Sequence, residues 1–139
     1  MIYFVSGHRD ITEEEFKKHY VPLLVEILDS NRYARFVVGD CKGADKMAMD
    51  FLADAAEDGD IELTVYHMFD SPRVTPGDVP MKYIETVFNG SVEFKGGYKT
   101  DLERDMAMTN ESHVDVAWIR PGRDTSGTAQ NIKRRYGLK

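Results

Sequence analysis

Val114-Asp115-Val116-Ala117-Trp118-Ile119 is followed by Arg120-Pro121-Gly122-Arg123-Asp124-Thr125-Ser126-Gly127-Thr128-Ala129-Gln130-Asn131-Ile132. The first six residues read as a buried strand. Next comes a polar loop rich in glycine and hydroxyls, and then the start of a helix. A loop of this kind offers unpaired backbone N–H groups at the positive end of a helix dipole. Together these make an anion site, most often for phosphate. A near-continuous apolar strand fits a sheet covered by helices on both faces, so the stretch predicts a parallel α/β protein.

The rest of the chain supports that expectation. Ile2 to Val5 is a short apolar run that ends at the polar turn Ser6-Gly7-His8-Arg9-Asp10. Thr12 with Glu15 three residues on is a capping-box signature, and apolar residues at Phe16, Tyr20, Leu23, Leu24, Ile27 and Leu28 continue at helical spacing. Pro22 inside that pattern predicts a kink or break near Tyr20, with the end near Ser30 and Asn31. A second strand, Arg35 to Val38, leads into the loop Gly39-Asp40-Cys41-Lys42-Gly43-Ala44-Asp45. Met47, Ala48, Phe51, Leu52 and Ala55 form the inner face of the next helix, which Asp58-Gly59-Asp60 ends, and Ile61 to Tyr66 is a third strand. Strand and helix in alternation imply a parallel sheet with right-handed crossovers.

The segment at about 70–99 interrupts the alternation. Pro72, Pro76 and Pro80, with Gly77, Gly90, Gly96 and Gly97, mark it as loop-rich, with a short helix over Met81 to Phe88. It reads either as a lid or pocket wall, or as a surface excursion or oligomer contact. Thr100 caps a further helix that runs to about Glu111. The last helix starts near Ser126, with Ile132 inward and Lys133, Arg134 and Arg135 outward. The 139 residues suit a single domain, 1–139.

Bulk properties narrow the function. A net charge of −6 argues against a general nucleic-acid binder, which carries a basic excess, but allows a local basic pocket. Cys41 is the only cysteine, so an intramolecular disulfide is excluded and a reducing, cytoplasmic setting is expected. No apolar run reaches the length of a membrane span, and the first residues lack the pattern of a signal peptide. The four histidines show no metal-ligand spacing, and neither a metal nor another cofactor is expected.

Four segments carry a family resemblance: Ser6-Gly7-His8-Arg9, Gly39-Asp40-Cys41-Lys42-Gly43-Ala44-Asp45, Glu103-Arg104-Asp105 with Met108, and Ser126-Gly127-Thr128. In this order they are similar to the SLOG superfamily, which includes the DprA/Smf DNA-processing proteins and the LOG-type phosphoribohydrolases. Nucleoside 2-deoxyribosyltransferases look like more distant relatives. The resemblance covers most of the chain outside the 70–99 segment. It implies a Rossmann-like three-layer α/β/α sandwich with a mainly parallel sheet of four to five strands. It also implies a nucleotide site at the C-terminal edge of that sheet, where open α/β sheets place their ligands in any case. Small domains of this kind often pair, so a homodimer or tetramer is expected by analogy.

The chain departs from the enzymes of that family in one respect. Their G-T-x-x-E pattern ends in a carboxylate, whereas Gly127-Thr128-Ala129-Gln130 is followed by Asn131. An amide is neither a carboxylate nucleophile nor a general base. The LOG-type loop also has two glycines after its proline, where this chain has Pro121-Gly122-Arg123. The expected function is therefore binding or sensing of a nucleotide or related phosphorylated small molecule. The alternatives are an N-glycosidic-bond hydrolase or transferase acting on nucleoside monophosphates, and a DprA-like DNA-processing accessory protein.

The expected ligand contacts are Ser6, Gly7, His8, Arg9, Gly39, Asp40, Gly43, Ala44, Asp45, Arg104, Gly122, Arg123, Ser126, Gly127, Thr128 and Asn131. Arg9, Arg120 and Arg123 suit phosphate geometry. His8 can hydrogen-bond a sugar or base or shuttle a proton. Asp45, like Asp40, can hold ribose hydroxyls or simply favour the dipole of its helix. For a hydrolytic step the candidate acids are Asp45, Glu103 and Asp105. Plainer readings stand beside these: a capped helix at Ser126, solvated loop residues at His8 and Arg9, and a surface ion pair at Arg104 and Asp105. Cys41 has no histidine placed beside it in sequence and is not read as a catalytic thiol.

Overall fold

The computed structural model describes residues 1–30, 33–57 and 61–137. The helix ends expected at Asn31 and at Asp58-Gly59-Asp60 lie outside these residues. Strands β1 (Ile2–Val5), β2 (Ala34–Val38), β3 (Ile61–Met68), β4 (Val92–Tyr98) and β5 (Val114–Val116) form one sheet in the order β4-β3-β2-β1-β5. Every pairing is parallel. Helices α1 (Glu13–His19), α2 (Val21–Ser30), α3 (Ala44–Glu57) and α4 (Ile84–Val87) carry the residues that pack on one face, against Tyr3, Val5, Phe36, Val38, Leu63 and Val65. Helix α5 (Asp101–Glu111) covers the other face, where Met108 meets Phe4, Val37 and Tyr66, and α6 (Gly127–Arg135) lies beside it. The chain thus has a Rossmann-like three-layer α/β fold.

Local chemistry explains the element boundaries. Thr12 and Glu15 form the reciprocal capping box at the start of α1. The predicted break falls at Tyr20, which separates α1 from α2, and Pro22 sits in the first turn of α2, where its missing N–H costs nothing. Thr100 caps α5 by accepting from the Glu103 N–H. Among the described residues no helix is long and apolar enough to cross a membrane.

Three expectations need correction. The 70–99 segment holds a strand as well as loops: β4 pairs with β3 from Leu63↔Val92 to Met68↔Tyr98. The expected strand from Val114 stops at Val116, and among the described residues its outer edge has no partner strand. Beyond it the backbone turns to other partners, with Trp118 N–H donating to Tyr20 Oη at 3.0 Å. In α6 the arginines are not all outward. Arg135 makes a bidentate pair with Asp115 (2.7 and 3.1 Å), and Arg134 donates to Asn131 Oδ1. Asn131, not Ile132, is the buried residue of that turn.

The strand order fixes where a ligand can sit. From β1 the chain moves outward through β2, β3 and β4, then crosses back to place β5 on the far side of β1. The loops after β1 and β5 therefore diverge, and a crevice opens at the C-terminal edge between them. Helices α3 and α6 begin at this edge, as does α5, whose first turns reach it from the other face.

Candidate functional site

A cleft of about 490 Å³ occupies that crevice, a size suited to a small organic ligand. It has an apolar floor at Phe4 and Met108, and its walls come from the loops after β1, β2 and β5 and from the starts of α3, α5 and α6.

Hydrogen bonds lock the three loops together. Ser6 N–H donates to Val116 O at 3.1 Å, tying the end of β1 to β5. Fully buried Tyr20 donates its hydroxyl to Ser6 O at 2.7 Å and accepts from Trp118 N–H, so one side chain stitches the β1 and β5 loops. His8 Nε2 accepts from Arg120 N–H at 2.9 Å, and Ala44 N–H donates to His8 O at 3.1 Å. Close packing explains the glycines. A Cβ on Gly7 would lie 2.4 Å from both Ala44 Cβ and Tyr20 Oη. Gly43 has φ +79°, and a Cβ there would lie 2.4 Å from Arg9 O.

Beneath the cleft lies a charge cluster. Asp40 is fully buried and accepts from Arg104 (2.7 Å), from Arg73 N–H (2.9 Å) and from the Arg73 guanidinium (2.9 Å). Burial alone would raise the Asp40 carboxyl, but its bonds to Arg73 and the charges of both arginines hold it below the ordinary value. Arg104, itself buried, also donates to Asp105 and sits 3.6 Å from the Cys41 sulfur. Its groups are thus already committed within the protein. Asp45 lies beside Gly39 and accepts from Cys41 N–H at 3.1 Å. Complete burial pushes this carboxyl up to about 7, against the opposing pull of Arg104. Burial also pushes the Cys41 thiol up, which keeps it protonated and poorly nucleophilic.

On the opposite wall, Ser126 spends its hydroxyl capping α6 through Ala129 N–H. The amides of Gly127 and Thr128, in the first turn of α6, have no acceptor among the described residues. Thr128 and Asn131 are buried and line the cleft. Around the mouth the arginines are paired: Arg9 with Asp101 (3.0 Å), Arg123 with Asp10 (2.7 Å), and Arg120 with Glu15 and Asp10.

Of the residues expected from sequence, Ser6, Gly7, His8, Arg9, Gly39, Asp45, Arg104, Asp105, Arg123, Gly127, Thr128 and Asn131 line the cleft together. The others stand outside its wall. Asp40, Gly43 and Ala44 support the loops from behind, Gly122 is a turn residue with φ +87°, and Ser126 is a cap. Glu103 faces away and accepts from Lys99 N–H. Sequence reasoning missed Phe4, Asp10, Cys41, Lys42, Asp101 and Met108 as lining residues. Phe4 carries only a core signal in sequence, and Met108 belongs to a segment that carries the family resemblance but itself reads as a core residue. Asp10 and Asp101 adjoin segments already singled out, and their opposite charge to Arg9 and Arg123 was the available clue. Among the described residues no cluster of histidine, cysteine and acidic side chains forms a metal site. Compared with family models, with curated proteins and with solved structures, the chain gives no match to any.

Proposed function

We propose that the cleft binds a nucleotide or another phosphorylated, nucleoside-derived small molecule, and that the chain works as a binding or sensing domain of the SLOG type. One observation carries this reading. The open first turn of α6, with the Gly127 and Thr128 amides unclaimed, lines the same crevice as the apolar floor of Phe4 and Met108. The first suits an acid group and the second an apolar ring face, and both lie at the topological switch point. Asn131 in place of a carboxylate supports binding without the chemistry of the related enzymes.

A second reading has one specific point in its favour. A buried carboxyl with a pKa of about 7, as at Asp45, suits a proton donor for N-glycosidic cleavage of a nucleoside monophosphate. Incubation with nucleoside monophosphates and chromatography of the released free base separates the two. Release that Asp45→Asn abolishes makes the chain an enzyme; ligand-induced stabilisation without release makes it a binder. The nucleic-acid reading gains no support, because the cleft sets Asp10, Asp45, Asp101 and Asp105 against Arg9, Lys42, Arg104 and Arg123. A homo-oligomeric state is proposed by analogy only, and equilibrium sedimentation tests it.

A further inference from the structure

We infer that the acid group of the ligand is seated by neutral donors, namely the Ser6 hydroxyl, the His8 Nδ1–H and the first amides of α6, and not by the arginines of the cleft. The inference rests on the proposed binding of a phosphorylated ligand and specifies how the protein holds it.

The arginines are occupied. Arg9 holds Asp101, Arg123 holds Asp10, and Arg104 holds Asp40 and Asp105. A phosphate drawn to Arg9 or Arg123 would meet the carboxylate of Asp101 or Asp10 beside it, whose like charge opposes the approach, and one that took over Arg104 would strand the buried Asp40. The donors of the neutral group have no such prior claim. Ser6 is nine-tenths buried, and its Oγ is the one buried side-chain polar atom without a hydrogen-bond partner among the described residues. A buried hydroxyl without a partner, on a residue that lines a cleft, is explained most simply by a ligand that completes it.

His8 reaches the same end by a different route. Its Nε2 accepts from the Arg120 amide, so the neutral ring carries its proton on Nδ1, which has no partner among the described residues. Burial, reinforced by Arg123 and Arg120, holds its pKa below the ordinary value, so the ring stays neutral at physiological pH. His8, which lines the cleft, is therefore a fixed donor and is not suited to shuttling protons. Ser6, His8, Gly127 and Thr128 all line the one cleft, on either side of the β1–β5 divide.

Titration calorimetry with nucleoside 5′-mono-, di- and triphosphates, nucleotide sugars and inorganic phosphate tests this on the wild type and on Ser6→Ala, Arg9→Met and Arg123→Met. Ser6→Ala removes a hydroxyl with no internal partner, so it keeps the wild-type melting temperature while weakening binding at least tenfold. The two arginine variants stay within about threefold of the wild type. Affinity also falls less than about threefold between low and high salt, since neutral donors release no counterions. If Arg9→Met or Arg123→Met loses tenfold or more, or if Ser6→Ala binds as the wild type does, the neutral seat is wrong although the binding function stands. If the wild type binds none of these probes, both the seat and the proposed function fall.

Discussion

Arg104 and Asp40 meet at 2.7 Å in the interior, one from α5 and the other from the loop after β2, 64 positions apart in the chain. The pair fastens α5, which covers one face of the sheet, to the loop that leads to Asp45 at the start of α3. A buried ion pair adds little over an apolar substitute, but breaking one side leaves an uncompensated charge. Asp40→Ala is therefore expected to cost about 3–5 kcal/mol in urea denaturation. A loss below about 1 kcal/mol would show that Asp101 and Asp105 suffice to neutralise Arg104.

Tyr20 is the second fastening. Tyr20→Phe keeps the ring and its stack on Phe16 but removes the bonds to Ser6 O and Trp118 N–H. Leaving these backbone groups without their partner is expected to cost about 1–3 kcal/mol. Trp118, the only tryptophan, stacks on His19 at 4.0 Å, so its fluorescence should report the loosened loop at once. Unchanged stability and emission would show that the β1 and β5 loops are held by other contacts.

Asp45 predicts a pH signature. Its carboxyl rises on folding from 3.8 to about 7, so the folded protein binds the proton more tightly than the unfolded chain does. The resulting stabilisation is complete below pH 3.8 and is lost as pH rises toward 7. Asp45→Asn carries no such loss, so the variant should match the wild type near pH 4 and exceed it at pH 8, by at most about 4 kcal/mol. Denaturation curves at several pH values check this. A constant difference between the two proteins would show that folding does not shift the Asp45 carboxyl.

Much of this architecture was legible in the chain. The apolar runs of β1, β2 and β3, the capping box at Thr12 and the proline at position 22 each have a local cause, so the alternation of strand and helix could be read directly. Strand β4 could not. Its sequence Val92-Glu93-Phe94-Lys95-Gly96-Gly97-Tyr98 alternates charged residues and carries two glycines before its last residue, because it is an edge strand with one half-open face. Gly96 is there because His67 packs against it, with a Cβ at that position falling 2.1 Å from the ring, and this is a tertiary fact no local pattern reports.

The site shows the same division. Loops that follow parallel strands converge by topology, which is why Ser6, His8, Gly39, Asp45 and Thr128 could be grouped in advance. The partner of each charge could not be read in that way. Arg9 and Arg123 looked like free phosphate ligands until Asp101 and Asp10 were found against them, and Arg104 proved to be a buried tie. Pairing depends on side-chain geometry across 92 and 113 residues of sequence, beyond the reach of spacing arguments.

The central claim is that the crevice between β1 and β5 takes a phosphorylated nucleoside. Thermal denaturation of the wild-type chain against nucleoside mono-, di- and triphosphates and nucleotide sugars tests it most directly. A ligand at one hundred times its Kd is predicted to add about 2.7 kcal/mol of stability, and Gly127→Pro, which removes one of the free N–H donors from the first turn of α6, to reduce that gain. No stabilisation by any of these compounds, at concentrations up to the millimolar range, would contradict the account.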